Sequence, residues 1–235
     1  MSSVIGNIIF GIREFVFQTF RGFPVIILGS ILAFSVFQSN FNLMLVWIGL
    51  FLLTPIVVFG INQIVATLLS NPLNASTNTF WKIFQNDTCR MFGPAGGTSP
   101  MLVFPSYWTS IMSFLFFYLF MNAYNIYSMP DQPKSPQESN DRRKTQTMIA
   151  MILLTIAAVI TFVFRYALTG CETMPGMIMG VLTGSLLGYG WYSFLAACGV
   201  GRLDDVFGIK NRILPMQVHS EQAPNMCVPV DQKDD

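Results

Sequence analysis

The hydrophobic positions of this chain gather into long runs separated by short polar stretches. A helix needs about 20 mostly apolar residues to cross the hydrocarbon core of a bilayer. Four runs reach that length with no charged residue before their last turns, and a fifth is shorter but uncharged. The pattern predicts an all-α polytopic membrane helix bundle of about five transmembrane helices, at 23–37, 41–70, 101–127, 147–168 and 174–200.

The first 22 residues show a different pattern, because polar positions recur along one helical face among apolar neighbours. Their spacing of three or four residues draws a narrow polar stripe made of Asn7, Gly11, Glu14, Gln18 and Arg21. A helix with such a stripe is typical of the membrane interface. We therefore predict an interfacial amphipathic helix at 1–22, and a helix packed on the other spans remains an equal alternative.

The predicted transmembrane bundle covers 23–200. Two polar segments are not membrane-spanning, one within this range and one after it. The segment 128–146 is rich in proline and polar residues, as linkers are, and residues 201–235 form a polar C-terminal tail. Only 11% of the 235 residues are charged and 52% are hydrophobic, whereas soluble domains carry about 25% charged residues. This composition argues against a soluble enzyme, and a net charge of +1 gives no basic excess for nucleic acid.

The distribution of lysine and arginine predicts the orientation of the bundle. Five such residues fall on the side of the N-terminus and the 71–100 loop, here called side A: Arg13, Arg21, Lys82, Arg90 and Arg165. Eight fall on the opposite side, side B: Lys134, Arg142, Arg143, Lys144, Arg202, Lys210, Arg212 and Lys233. Because cytoplasmic loops carry the excess of positive charge, we expect the 128–146 linker and the C-terminus to be cytoplasmic.

The 71–100 loop is then lumenal or extracytoplasmic. Its two glycosylation acceptor sequences, at Asn74 and Asn86, agree with that placement. A viral internal membrane is an alternative location, in which side A would face a different compartment.

Three short blocks near the predicted side A ends of the spans carry recognisable motifs. They are Phe-Pro-Ser at 104–106, Arg165 with Cys171 six residues later, and the earlier basic pair Lys82 and Arg90. In chain order, with the basic pair first, the Phe-Pro-Ser block second and Arg165 with Cys171 third, they resemble the signature of the type 2 phosphatidic acid phosphatase (lipid phosphate phosphatase) family. The chain departs from the family pattern at several positions within these blocks.

The resemblance covers about residues 60–192 and implies a phosphatase-like core inside the bundle. In that family, basic and polar side chains bind phosphate, and two histidines supply the leaving-group proton and the nucleophile. The implied phosphate-binding positions are Lys82, Arg90, Ser106 and Arg165. Trp108 and Cys171 stand where the family has its two histidines, and are therefore site-replacing residues.

The chain has a single histidine, His219, on the opposite side of the membrane from Arg165. Acid–base catalysis near neutral pH ordinarily uses histidine, and the indole of Trp108 is only a donor. We therefore expect a pseudoenzyme without catalytic residues. No dense cluster of histidine and cysteine is present in the sequence, so we expect neither a metal nor a cofactor.

The four cysteines allow two interpretations. Cys89 and Cys171 both lie on side A and would pair if that side is oxidising, which makes them a disulfide candidate. Alternatively, Cys171 is the nucleophile of an active lipid phosphatase. That alternative is the weaker one, since a cysteine phosphatase has Arg six residues after its Cys and position 177 is Met. Cys198 and Cys227 are interpreted as ordinary small apolar residues.

Glycines recur at every fourth position along the last predicted span, at Gly176, Gly180, Gly184 and Gly188. Small residues at this interval form a flat helix face that a neighbouring backbone can approach closely. The face is predicted to pack a helix of the same bundle, and a dimer interface is the alternative.

Together these patterns favour a structural role for the protein. We expect a catalytically inactive membrane protein that touches lipids and anchors other proteins of a larger assembly through 128–146 and 201–235. A membrane-containing virus particle is one setting for such a component, and an oligomer is compatible with the glycine face. The rival function is binding or transport of a lipid phosphate by Lys82, Arg90 and Arg165.

Overall fold

The computed structural model describes residues 2–37, 41–69, 84–85, 101–102, 104–130, 137–169 and 172–198. Within these ranges the chain forms six α-helices and one π-helical turn. The helices are α1 (Ser2–Phe37), α2 (Phe41–Ile48), α3 (Thr54–Leu69), α4 (Tyr107–Ser128), α5 (Gln137–Thr169) and α6 (Met174–Ala197), and the π-helical turn (Gly49–Leu53) joins α2 to α3. Two short strands, β1 (Phe84–Gln85) and β2 (Met101–Leu102), pair in antiparallel fashion.

Three stretches of the described residues are long and apolar enough to cross a membrane: Phe17–Phe37, Phe41–Leu68 and Gln137–Ala167. The predicted helical, membrane-type architecture is thus confirmed, while the number of five spans stays a prediction. The helices α4 and α6 pack against each other through small and polar residues, since the α6 glycines lie against Thr109, Ser110 and Ser113 of α4. The least buried of the three stretches is the one on α5, of which only 6% is buried.

The N-terminal region differs from the predicted division at residue 22. One continuous helix, α1, runs through Pro24. Its length of about 54 Å exceeds the hydrocarbon core of a bilayer, which is about 30 Å thick. Because the membrane-length stretch occupies Phe17–Phe37, the residues before it lie toward one end. Whether they lie in the interface stays a prediction.

The starts of two other helices differ from the predicted ones. The third span was predicted from residue 101, but α4 begins at Tyr107, because Ser106 caps it by accepting a hydrogen bond from the Thr109 amide at 3.3 Å. Conversely, α5 begins at Gln137, ten residues before the predicted start. Its polar first turns lie within the predicted linker, where the ion pair between Glu138 and Arg142 supports the helix.

The helices α4 and α6 form the most extensive pair in the bundle. All four glycines of the predicted glycine face are buried. A Cβ atom added at Gly180 would lie 2.9 Å from Cβ of Thr109, and one at Gly188 would lie 2.7 Å from the Phe114 carbonyl oxygen. The structure therefore places this face against α4 of the same chain.

The π-helical turn also lies very close to neighbouring side chains. A Cβ atom at Gly49 would lie 2.7 Å from the rings of both Phe114 and Trp191. The indole of Trp191 donates a hydrogen bond to the Leu45 carbonyl at 3.1 Å, and the Thr54 hydroxyl donates to the Gly49 carbonyl at 3.0 Å. These bonds satisfy carbonyls at a site where the regular helical pattern is interrupted.

Arg143, near the start of α5, points into the bundle and is only 1% exposed. Its Nη2 donates to the Met129 carbonyl at 2.9 Å, immediately after the last residue of α4. A cation is favourable at a helix C-terminus, where the carbonyls carry partial negative charge. Arg143, counted above among the charges that set orientation, thus ties the end of α4 to α5.

Candidate functional site

Three buried side chains meet at the end of the bundle where α4 and α6 begin and α5 ends, here called the Arg165 end. Arg165 is 1% exposed, Trp108 2% and Glu172 7%. The Nε atom of Arg165 lies 3.2 Å from Oε1 of Glu172. The guanidinium carbon lies 4.9 Å from the centre of the Trp108 ring, which is a cation–π contact. Arg165, Trp108 and Glu172 are called the arginine cluster below.

Ser106 connects the arginine cluster to α6. Its hydroxyl donates a hydrogen bond to Glu172, and its amide donates to the Gly176 carbonyl at 3.0 Å. Thr173 caps α6 in the same way that Ser106 caps α4, by accepting a bond from the Gly176 amide at 3.3 Å. Two helix starts therefore fix the positions of Ser106 and Glu172.

Asn62 of α3 holds the turn that precedes α4. Its Oδ1 accepts a hydrogen bond from the Phe104 amide at 2.7 Å, and its Nδ2 donates to the Pro105 carbonyl at 3.5 Å. The side chain of Tyr107 is also hydrogen-bonded to Asn62. Because Asn62 is itself buried, this buried amide defines where the Pro-Ser motif lies.

The indole of Trp108 has a partner on α1. Its Nε1 donates to the Phe20 carbonyl at 2.9 Å. In an α-helix that carbonyl would accept the amide hydrogen of residue 24, but residue 24 is Pro24, which has none. Trp108 therefore satisfies a carbonyl that its own helix leaves without a donor, and this bond docks α1 on the arginine cluster.

The electrostatics of the cluster are dominated by burial and by the ion pair. Burial raises the pKa of the Glu172 carboxyl, and the charge of Arg165 with the hydrogen bond from Ser106 offsets part of that rise. Arg21 of α1 is close enough to interact electrostatically with Arg165. Among the described residues, neither terminal nitrogen of Arg165 has a hydrogen-bond partner.

Chemically, the arginine cluster is a neutralised pair covered by an aromatic ring. The guanidinium of Arg165 stays positively charged in proteins, so it cannot act as a general acid or base. Glu172 is the cluster's only carboxylate within the described ranges, and it is committed to Arg165 and Ser106. No group of three or more metal-ligating His, Cys, Asp or Glu side chains occurs in the part of the chain that the structure describes.

The structure brings together three of the residues that the motifs singled out: Ser106, Trp108 and Arg165. The other predicted site residues lie outside the described residues, namely Lys82, Arg90, Cys89, Cys171, Asn74 and Asn86. The proposed disulfide between Cys89 and Cys171 therefore stays a prediction, and the cysteine that the described ranges do contain, Cys198, is free.

Sequence reasoning missed Glu172 and Asn62 as parts of this site. Glu172 offers one signal, since it is an acidic residue between two apolar helices, seven positions after a lone arginine. Such residues within or next to membrane segments usually pair with each other. Asn62 offers a comparable signal as a polar residue inside an apolar run.

Comparison of the chain with protein-family models, with characterised proteins and with solved structures finds no match. The likeness to the lipid phosphate phosphatases therefore remains an interpretation of the motifs.

Proposed function

We propose that the protein is a non-catalytic multi-pass membrane protein that anchors partner proteins to a bilayer. One observation carries the proposal: two of the phosphatase-like positions, Trp108 and Arg165, have side chains that are bonded to other parts of the same chain. Trp108 is committed to the Phe20 carbonyl and Arg165 to Glu172. A pair that neutralises itself in a buried site serves to hold helices together more readily than to bind and release a substrate.

The anchoring surfaces in this proposal are the polar segments 128–146 and 201–235, on the cytoplasmic side. Part of the first segment is the exposed start of α5, where Glu138, Asp141 and Arg142 present charged side chains. A rigid, charged helix end is a suitable surface for a partner protein. An internal membrane of a virus particle is one setting for such an anchor.

Hydrolysis is the first test of the proposal. The full-length protein, reconstituted in vesicles, should release no phosphate from phosphatidic acid above the protein-free rate. The same result is expected for Cys171→Ser. Phosphate release that is lost in Cys171→Ser or Arg165→Leu would show an active lipid phosphatase and overturn the proposal.

Anchoring is tested separately, by crosslinking in the native membrane followed by mass spectrometry. A variant truncated after residue 200 should stay in the membrane and lose its main crosslinked partners, whereas Arg165→Leu should keep them. A further variant combines the truncation with a Gly-Ser segment at 131–136 and with alanine at Glu138, Asp141 and Arg142. Partners that this variant retains would contradict this route of anchoring.

A second candidate, a lipid-phosphate binder, rests on the terminal nitrogens of Arg165 that have no hydrogen-bond partner among the described residues. It is distinguished by the midpoint of thermal unfolding in vesicles with and without phosphatidic acid. Under the anchoring proposal, phosphatidic acid and phosphatidylcholine give the same midpoint. A rise with phosphatidic acid that disappears in Arg165→Leu favours the binder.

The orientation given above belongs to the same proposal and has its own test. In a variant whose four native cysteines are replaced by serine, a membrane-impermeant thiol reagent applied to sealed cells should fail to label a cysteine placed at Gln146, because that residue is expected to be cytoplasmic. A cysteine placed at Ser76 should be labelled. The reverse pattern would invert the orientation.

A further inference from the structure

One face of α5 carries a regular row of β-branched side chains. In alternating steps of four and three positions, the row consists of Thr145, Ile149, Ile152, Ile156, Val159 and Val163. An average step of 3.5 residues is the spacing of the inner positions of a left-handed coiled coil. All six side chains are exposed, and the row is called the α5 seam below.

The α5 seam lies on the side of α5 that faces away from the bundle. The helical period places the buried residues of α5 on the opposite side, namely Asn140, Arg143, Thr147 and Arg165. Ile152 and Val159 of the seam are 51% and 56% exposed. Within the described ranges, the bundle therefore leaves the α5 seam open along its whole length.

Lipid does not require such a pattern. A surface that faces hydrocarbon needs apolar side chains but no particular period or shape. The exposed face of α6 illustrates this, since Ile178, Leu182 and Leu186 follow at constant steps of four and differ in branching. Membrane helices associate by close packing, and β-branched side chains are already restricted at χ1. The α5 seam is thus better suited to packing against another helix than to contact with lipid alone.

At its N-terminal end, the α5 seam continues into a charged depression on the helix surface. Glu138, Asp141, Arg142, Thr145 and Gln146 line this depression. The first four are spaced as positions 0, 3, 4 and 7, and four such neighbours form the hole that accepts a side chain of the facing helix in a coiled coil. Two carboxylates against one guanidinium make this hole acidic.

The charge of the hole matches a side chain of the same helix. Arg142 stands three positions before Thr145 and so extends the alternating spacing of the α5 seam. On a second, parallel copy of α5, the Arg142 guanidinium would enter the acidic hole between the carboxylates of Glu138 and Asp141. The surface is therefore complementary in charge to itself.

The membrane also supplies the parallel arrangement. The distribution of lysine and arginine sets the same orientation for every copy of the chain, so the α5 helices of two copies run in the same direction. The glycine face of α6, which is the other candidate for self-association, is already packed against α4.

We propose that the protein forms a parallel homo-oligomer in the membrane, in which the α5 seams of neighbouring copies pack against each other. Arg142 of one copy then lies in the acidic hole of the next. This interaction goes beyond the anchoring function and does not depend on it.

Disulfide crosslinking locates the contact. It uses the full-length protein in its native membrane, with the four native cysteines replaced by serine. On mild oxidation, Ile152→Cys or Ile156→Cys should give a crosslinked homodimer, because facing seam positions come within disulfide distance. Ala157→Cys on α5 and Leu186→Cys on α6 are exposed positions outside the seam, and both should stay monomeric.

The strength of association is measured by energy transfer between donor- and acceptor-labelled copies in phosphatidylcholine vesicles. Ile152→Phe combined with Ile156→Phe keeps α5 apolar but spoils the fit of the seam. The apparent dissociation constant should rise about tenfold, which corresponds to about 1.4 kcal/mol. Leu182→Phe combined with Leu186→Phe is the matched control on α6 and should leave the constant unchanged.

Arg142→Glu tests the acidic hole. It should weaken association at low salt and do so less at high salt, because salt screens exposed charges. Four results would overturn the proposal: energy transfer no greater than random proximity gives, which would leave lipid on the seam; equal crosslinking of Ile152→Cys and Ala157→Cys; equal effects of the two phenylalanine pairs; or crosslinking of Ile152→Cys only to a different protein.

Discussion

Trp108 joins three helices of the bundle through two kinds of contact. Its ring covers the Arg165 guanidinium of α5, and its Nε1 bonds the Phe20 carbonyl of α1. The second contact exists because Pro24 cannot supply the helical donor. Pro24 and Trp108 are thus an energetic pair although 84 positions separate them along the chain.

The pair predicts a specific rescue. Trp108→Phe should lower the free energy of unfolding by about 1–3 kcal/mol, because the Phe20 carbonyl loses its donor. Pro24→Ala restores the helical amide and should recover part of that loss. The measurement is denaturant unfolding of the wild-type protein, the two single variants and the double variant in lipid bicelles.

In the wild-type background, Pro24→Ala should have a smaller effect than in the Trp108→Phe background, since the carbonyl already has a partner. A coupling of about 0.5–3 kcal/mol between the two positions is expected. If Pro24→Ala changes stability equally in both backgrounds, the carbonyl is not what links them.

Arg165 and Glu172 form the second residue-scale pair, and the chain contains a natural control for it. Removing one partner of a buried ion pair leaves an uncompensated charge and typically costs about 3–5 kcal/mol. We expect a loss of this size for Arg165→Leu, and a smaller loss for Arg165→Leu combined with Glu172→Leu.

Arg142 and Glu138 make an equivalent ion pair with side chains that are 68% and 74% exposed. Because exposed pairs contribute about 0.2–1 kcal/mol, Arg142→Leu should change the free energy of unfolding only slightly. Equal losses for Arg142→Leu and Arg165→Leu would contradict the structural role of the buried pair.

At the scale of the elements, the contact between α4 and α6 depends on small residues. A Cβ atom added at Gly184 would lie 2.7 Å from Cβ of Ser113 and would also meet the Ser110 carbonyl. Backbone atoms cannot yield as a flexible side chain can. The two helices would therefore have to separate.

Gly184→Ala should accordingly lower the free energy of unfolding by about 1–3 kcal/mol, the usual cost of overpacking. Gly190→Ala is the control on the same helix, because nothing lies within 4 Å of its added Cβ. Replacing a helix-interior glycine by alanine gains up to about 1 kcal/mol where space allows. A destabilised Gly190→Ala, or an unaffected Gly184→Ala, would argue against this packing.

The helices themselves were predictable from the sequence, since each apolar run became a helix. The residues at which the helices begin and end were less predictable. The start of α5 extends into a polar segment because Glu138 and Arg142 pair along the helix, a stabilisation that hydrophobicity does not report. The start of α4 is set by the side chain of Ser106 and by Asn62, which comes from a distant helix.

At the scale of the whole molecule, the sequence motifs identified Ser106, Trp108 and Arg165 as site residues. The motifs did not predict which contacts these residues make. Their partners are the Phe20 carbonyl of α1 and, at the start of α6, Glu172 and the Gly176 carbonyl, so they come from two other parts of the chain. A local motif cannot reveal such pairings. The motifs identified these three positions because they resemble phosphate-binding blocks. The contacts observed at the same positions hold helices together.

The two buried arginines of α5 have a consequence for the membrane in which the protein resides. Arg143 and Arg165 stand 22 residues apart, which is about 33 Å along a helix, and both are fixed inward by partners on other elements. The helix cannot shorten its apolar length by sliding or by releasing either charge into solvent. Its preferred hydrocarbon thickness is therefore fixed from within the protein.

We expect the free energy of unfolding to be highest in bilayers with a core of about 30–33 Å and to fall by a fraction of a kcal/mol for each ångström of thinning. Reconstitution in phosphatidylcholines of increasing chain length measures this, with Arg142→Leu as a variant that should leave the optimum unchanged. A stability that does not vary with chain length would contradict it. Through hydrophobic mismatch, α5 would act as a ruler that sorts the protein toward thicker membranes.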